Sequence, residues 1–436
     1  MAEKKGIDWS SLWRKEDWWA CWLGWFILVL ALIGILPKWY KIGSWTSLGE
    51  AFPNGIATLG TAVGAFLFVI ILTIIGLLFM KRFTWSYIPA FAAIFALAFL
   101  AFVMGKLDTK ALWGVTGVPY VIWAIILGLL ISNVFGVPKW LKAGVMTEYF
   151  IKIGLVCMGA AIFFSDVIKA GAVGMGQAIL VVGGVWFFAY WLGRRFGMSE
   201  RFAGIMATGV SICGVSASIA AGGALKGDKK EVSYMIAWIM VCAVILIIIM
   251  PPIALAMGLP ANMAGAWIGG VIDNTGAVAA AGAVYPGEAA VTVALIVKMA
   301  QNVLIGFAAF FMALWATMSL DRKAGAAKPS IVEVWWRFPK FIVGFVVASL
   351  FVFIVLEPTM GAKAAQAVGK AAKGFRDPFF VLAFVCIGLE TRFKELITVG
   401  GGKPAIAYWL AQTMNAFWTL GIVWILWSGW LFAPPI

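Results

Sequence analysis

SICGVSASIAAGGALKGDKKEVSYMIAWI, residues 211–239, and GVIDNTGAVAAAGAV, residues 270–284, decide how this chain is read. Each sets serine, threonine, asparagine or aspartate beside glycine in the middle of otherwise apolar sequence. A helix crossing hydrocarbon gains nothing from such groups, since every one of them needs a hydrogen-bond partner away from water. Their position points to backbone breaks lining a polar cavity, the way secondary transporters build sites at the bilayer midplane.

Working outward, hydrophobic residues make up 63% of the 436 and charged ones 12%, against roughly a quarter charged in a soluble domain. That excludes a water-soluble fold. The apolar residues fall in runs of about 18 to 25, enough at 1.5 Å per residue to cross a core of roughly 30 Å. Spans are expected near 18–36, 56–79, 86–104, 116–135, 146–168, 172–192, 203–223, 232–257, 262–284, 289–318, 339–356, 376–398 and 405–431. The first has no small-residue cleavage pattern behind it and reads as a mature helix rather than a signal peptide.

The chain has no histidine, which removes the commonest general base and metal ligand and weighs against an enzyme. Cys21, Cys157, Cys213, Cys242 and Cys386 lie in apolar runs without metal or disulfide spacing and read as packing thiols. The net charge of +14 is scattered through short loops, which fits positive-inside topology better than nucleic acid binding. With the N-terminus cytoplasmic, Lys4, Lys5, Arg14, Lys15, Lys81, Arg82, Lys139, Lys142, Arg194, Arg195, Arg201, Arg322, Lys323, Lys328 and Arg337 fall inside. Lys226, Lys229, Lys230, Lys363, Lys370 and Lys373 fall on the other side, and one re-entrant segment would change that count. Residues 361–374 space their lysines by 7 and 3, as an interfacial linker helix does. Trp18, Trp19, Trp22, Trp335, Trp336, Trp424 and Trp427 cluster towards span ends and read as interfacial belts.

Two self-similarities suggest duplicated halves. Residues 151–171 and 380–401 pair at one constant offset, with Val156-Cys157 on Val385-Cys386, Gly159 on Gly388, Asp166 on Glu395 and Gly171 on Gly400. Residues 209–224 pair with 270–284 around Gly214 and Gly276. Inverted repeats of this kind organise secondary transporters.

Unwinding at Gly209 or Gly214 would free backbone N–H groups and aim a half-helix N-terminus, worth about +0.5 charge, at an anion. Ser211, Cys213, Gly214, Val215 and Ser216 form that candidate wall; the bland alternative is close helix packing with serines bonded to their own helix. Asn274, Thr275 and Gly276 form the second wall. Asp273 would hold Na⁺, carry a proton, or cap the next half-helix, and costs roughly 2.5–3.5 kcal/mol to bury in a membrane. Lys298, Gln301 and Asn302 share a helical face. Lys298 serves the substrate or Asp273 as counter-ion, or snorkels to the interface, and Gln301 joins Asp273 in ion coupling. Glu148 with Lys152, and Glu390 with Arg392, read equally as local ion pairs or as coupling groups.

Residues 211–239, 268–306 (IGGVIDNTGAVAAAGAVYPGEAAVTVALIVKMAQNVLIG) and 388–396 (GLETRFKEL) resemble the YeiH family of sulfate exporter-like membrane proteins. The family's Ile-Cys-Gly-x-Ser-Ala core is matched by Ile212, Cys213, Gly214, Ser216 and Ala217, and its Val-Lys element by Val297 and Lys298. The likeness covers roughly Val118 to the C-terminus, and the first hundred residues resemble the extension of longer members. The resemblance implies an all-α polytopic fold similar to the bile acid symporters and Na⁺/H⁺ antiporters, with inverted repeats, two crossed broken helices and a homodimeric state.

The expectation is thus an N-terminal extension of about three helices over 1–115 and a transporter domain over 116–436, with broken helices near 203–223 and 262–284. It would move a small anion, a sulfur oxyanion or sulfonate by the resemblance, across a bacterial-type inner membrane by an elevator-type mechanism. Na⁺, a proton on Asp273 or the membrane potential would supply the coupling. A Na⁺-coupled organic-acid importer is the nearest rival. An anion channel would need a symmetric pore ring, and an intramembrane aspartyl protease a second aspartate, for which Asp166 near a span end is the remaining candidate.

Overall fold

Runs of Ala, Leu, Ile, Val and Phe with few internal prolines propagate as helix, since each residue added gains one backbone hydrogen bond and none can be made to lipid. The computed structural model describes residues 10–37, 39, 42–52, 56–108, 119–161, 164–320, 339–392 and 402–430. Its principal helices are α1 (Glu16–Leu32), α2 (Ile56–Phe79), α3 (Tyr87–Met104), α4 (Tyr120–Leu130), α5 (Thr147–Gly159), α6 (Phe164–Arg195), α7 (Glu200–Ser211) and α8 (Val215–Ala224). There follow α9 (Lys229–Ala256), α10 (Ala261–Val271), α11 (Thr275–Val284), α12 (Glu288–Trp315), α13 (Lys340–Phe351), α14 (Ala362–Lys373), α15 (Arg376–Glu390) and α16 (Lys403–Trp427). Among the described residues there is no β-strand, only the isolated bridge between Trp45 and Leu107. The fold is that of an all-α polytopic membrane protein.

Among the described residues six helices are long and apolar enough to cross a membrane: Ala57–Phe79, Tyr87–Met104, Ala170–Arg195, Lys230–Ala256, Glu288–Leu320 and Lys340–Met360. The regions near 203–223 and 262–284, expected to cross as broken helices, turn back instead. α7 has 12 residues and α8 has 10, lengths of about 18 and 15 Å that each reach only halfway through a bilayer core. The Arg201 guanidinium at the start of α7 bonds the Leu225 carbonyl at the end of α8, so the two outer ends lie together. Tyr285 after α11 likewise bonds the carbonyl of Leu259 before α10. Residues 200–224 and 261–284 are therefore two helical hairpins, joined by α9.

The first hairpin reverses where Gly214 takes φ +63° and ψ −100°, a conformation that L side chains rarely adopt. The second reverses through extended backbone at Ile272 and Asn274. Because hairpin one returns to its starting end, Lys226 and Lys230 share that end with Arg194, Arg195 and Arg201.

By internal contacts the chain forms two compact units, Met1–Phe164 with Lys340–Glu390 and Ser165–Pro339 with Thr391–Ile436. In the first, α5 and α15 run antiparallel: Thr147 Oγ1 donates to Glu390 Oε2 at 3.0 Å, and Gly154 sits against Phe380 and the Arg376 carbonyl. These helices carry the first sequence pair; its positions 162–163 and 393–401, with Glu395 and Gly400, and the side chain of Asp166, lie outside the described residues, as do Lys4, Lys5, Arg322, Lys323, Lys328, Trp335, Trp336 and Arg337. Lys152 bonds Glu16 and Asp17 at 2.9 Å each and Glu148 more loosely at 3.7 Å, so it ties α5 to the start of α1. α14 buries Ala365, Gly369 and Ala372 and leaves Lys363 and Lys370 exposed.

In the second unit α12 carries both legs of hairpin two. Gly265 and Gly269 of α10 lie directly on the carbonyls of Ala290 and Ala294, leaving no room for a Cβ. Trp427, expected in an interfacial belt, is buried and donates to Gln177 Oε1 at 2.8 Å. All five cysteines are free and buried.

Candidate functional site

Folding a helix back on itself at membrane depth leaves unpaired carbonyls where the first leg ends and unpaired N–H groups where the second begins. The second unit treats these two sets differently. On hairpin one, the Lys298 ammonium donates to the Ile212 carbonyl at 2.7 Å. On hairpin two, Gln301 Nε2 donates to the Gly270 carbonyl at 3.0 Å, and Gln412 Nε2 and Asn415 Nδ2 donate to Val271 at 2.7 and 3.2 Å. The carbonyl ends are thus capped by side chains of α12 and α16.

The N–H ends diverge. Asn274 Oδ1 accepts from Ala277 N at 3.0 Å and caps α11, so the cap considered for Asp273 belongs to its neighbour. α8 has glycine at its N-cap and no side-chain cap, so its first-turn amides face whatever lies at the tip. The two tips touch: a Cβ on Gly214 would fall on the Asp273 carbonyl oxygen.

Lys298 is 0% exposed and does not snorkel. It also donates to Gln301 Oε1, and among the described residues it makes no ion pair, so two neutral acceptors take two of its three protons. Asp273 is buried, and its Oδ2 accepts from the Tyr408 hydroxyl at 2.6 Å. Asn302 Nδ2 donates to Thr275 Oγ1 at 3.2 Å. Gly276 is buried one residue further along α11.

Ser211 is buried with its hydroxyl 3.5 Å from the Thr208 carbonyl of its own helix, the local bond that the bland reading foresees. Cys213 packs with Ile212, Ala217 and Ile305 in a small apolar cluster. Val215 is half-buried and Ser216 is exposed at the surface of the unit. The sequence residues therefore divide into an accessible group at the α8 N-terminus and a buried group about Asp273 and Lys298.

Reading the sequence missed α16. Tyr408, Gln412, Asn415 and Thr419 follow one another at spacings of four, three and four, and all four are buried against the hairpins. That polar stripe in an apolar span was the available signal.

A family model described as conserved hypothetical protein 698 matches residues 89–407. The chain belongs to the UPF0324 membrane protein family. The YeiH likeness read from Ile212 to Ala217 and from Val297-Lys298 is thereby shown. A UPF0324 membrane protein of Rhodopirellula baltica is 37% identical over 400 residues, 89% of this chain and 72% of that one. One from Nitratidesulfovibrio vulgaris is 37% identical over 361 residues, 81% of this chain and 61% of its own length. A third, from Nitrosomonas europaea, is 29% identical over 490 residues and 98% of both chains. No solved structure matches. The stretch matched by the conserved hypothetical protein 698 model holds both hairpins and Lys298 and stops just before Tyr408.

Proposed function

We propose that this protein is a secondary transporter of a small anion, with the anion held at the uncapped first turn of α8 beside Lys298. The observation that carries the reading is the asymmetry of the hairpin tips. Their carbonyl ends are neutralised by side-chain donors, while the α8 amides stay open. A half-helix N-terminus of about +0.5 charge next to a buried ammonium attracts an anion far more strongly than either does in water. Ser216 adds a hydroxyl donor on the accessible side, and Thr275 and Asn302 line the buried side. With no histidine in the chain to serve as a general base, we read the arrangement as binding rather than catalysis.

A sulfur oxyanion or sulfonate fits the donor set, and the YeiH likeness favours that class. The division into two compact units supports an elevator-type movement of one against the other. Arg194, Arg195, Arg201, Lys226 and Lys230 at one end of the second unit support a cytoplasmic location for that end, and Lys4, Lys5, Arg14 and Lys15 support a cytoplasmic N-terminus, in a bacterial-type inner membrane.

The test is thermal stabilisation of the purified protein by sulfate, sulfite, thiosulfate, taurine, sulfoacetate, dicarboxylates and chloride, each as Na⁺ and K⁺ salts. A selective ligand at a hundred times its Kd adds about 2.7 kcal/mol. Stabilisation by sulfur oxyanions or sulfonates supports the reading. Stabilisation by dicarboxylates alone with Na⁺ would replace it with organic-acid import, and no stabilisation by any anion would refute it.

A further inference from the structure

Three buried oxygens around the tip of hairpin two accept no hydrogen bond from the protein: Asp273 Oδ1, Asn302 Oδ1 and Gln412 Oε1. The bonds beside them fall on residues 271, 273 and 275 of that tip. Gln412 Nε2 is on the Val271 carbonyl at 2.7 Å, Tyr408 O–H on Asp273 Oδ2 at 2.6 Å, and Asn302 Nδ2 on Thr275 Oγ1 at 3.2 Å. The Gln412 amide cannot be turned over, because its oxygen would then face the Val271 carbonyl. Gln301, paired with Asp273 at the level of sequence, has both amide atoms engaged, by Lys298 and by Gly270.

An unsatisfied buried acceptor costs about 1–3 kcal/mol, and three at one turn of chain call for a shared positive partner. A proton on Asp273 serves at most two of these oxygens, whereas a cation seated at the tip is a partner that carboxylate and amide oxygens alike accept. Hard cations take such oxygen sets. A divalent ion is disfavoured, since only one of the three groups is charged and no cluster of three His, Cys, Asp or Glu occurs among the described residues.

We propose that Asp273, Asn302 and Gln412 hold a sodium ion that couples to transport. This rests on the anion-transport reading above and names its coupling ion. The link between the two ligands is direct: the residue that supplies the carboxylate also presses its backbone carbonyl on Gly214, the residue preceding the uncapped turn of α8. Ordering residues 272–274 around the cation thereby fixes the turn that receives the anion.

The experiment uses the purified whole chain at constant chloride and ionic strength, with NaCl exchanged stepwise for KCl or choline chloride and no substrate anion present. The expected result is a saturable rise in melting temperature with Na⁺ that choline and K⁺ do not reproduce. Asp273→Asn and Gln412→Met should shift half-saturation at least tenfold, while Tyr408→Phe, which leaves all three oxygens in place, should retain the response. Identical melting in Na⁺ and choline for the unmodified protein would overturn the site whatever the variants do. So would a Na⁺ response that survives Asp273→Asn, or a sodium-free stabilisation on acidification that abolishes the Na⁺ effect, which would make Asp273 a proton carrier. A parallel sulfate titration in choline chloride separates the two proposals, because sulfate binding without any Na⁺ response removes the cation site and leaves the anion site standing.

Discussion

Gly214→Ala is the sharpest probe of the tip-to-tip arrangement. The backbone there, φ +63° and ψ −100°, lies in a region that costs a residue with a Cβ about 1–3 kcal/mol. The added methyl also lands on the Asp273 carbonyl oxygen and 2.6 Å from Ile239 Cγ2, an overlap of the kind that costs about 1–3 kcal/mol more in a packed interior. The sum, about 2–6 kcal/mol, is a large share of the 5–15 kcal/mol that typically holds a protein folded. Gly223 is the control: it lies on the same leg, exposed, and a methyl added there would meet nothing within 4 Å, so alanine should be neutral or gain about 0.5–1 kcal/mol of helix propensity. Melting curves in detergent should therefore show Gly214→Ala lower by roughly 2–7 °C and Gly223→Ala unchanged or slightly higher. Equal melting of the two variants would show that the hairpin tips do not abut.

Three further outcomes follow from the same geometry. Lys298→Met strips the donor from Ile212 O and Gln301 Oε1, at about 1–3 kcal/mol each, offset in part because an ammonium is no longer buried. It should lower the melting temperature and abolish stabilisation by sulfate; a retained sulfate response would leave the lysine only its role at the tip carbonyl. Ser216→Ala should leave melting unchanged, because Ser216 is exposed, yet weaken sulfate binding about tenfold through loss of a hydroxyl donor to a charged ligand; unaltered affinity takes Ser216 out of the site. Asn274→Ala removes the cap on Ala277 N and should cost about 1 kcal/mol, whereas Asn274→Ser keeps a neutral acceptor and should melt closer to the unmodified protein.

The membrane class was legible because 63% hydrophobic composition leaves a chain no other home. The hairpins were not, for a simple reason of length. Residues 200–224 form a stretch as long as a full span, and nothing in hydropathy separates one helix of about 37 Å from two legs of half that. The glycine at 214 marked a break but not its direction. The misplaced lysines did carry the answer: Lys226 and Lys230 fell on the wrong side only while hairpin one was counted as a crossing. Around the site, Asp273, Lys298 and Asn302 announced themselves by polarity at depth. The polar stripe on α16 went unread because its members are neutral and spread over twelve residues, so no single position violated the apolar pattern.

The carbonyl caps on hairpin two also set a timetable for synthesis. Gln412 reaches Val271 across 141 residues of chain, so at about 5–20 residues per second the tip of hairpin two is made roughly 7–28 s before the side chain that caps it. Through that interval its carbonyls have no partner from α16 and no water if they sit in hydrocarbon. The nascent hairpin must therefore wait near the interface or in a hydrated vestibule and slide to depth only when the last helix arrives. α16 is in this sense the bolt of the assembly: insertion of everything before it can be complete while the second unit is still open.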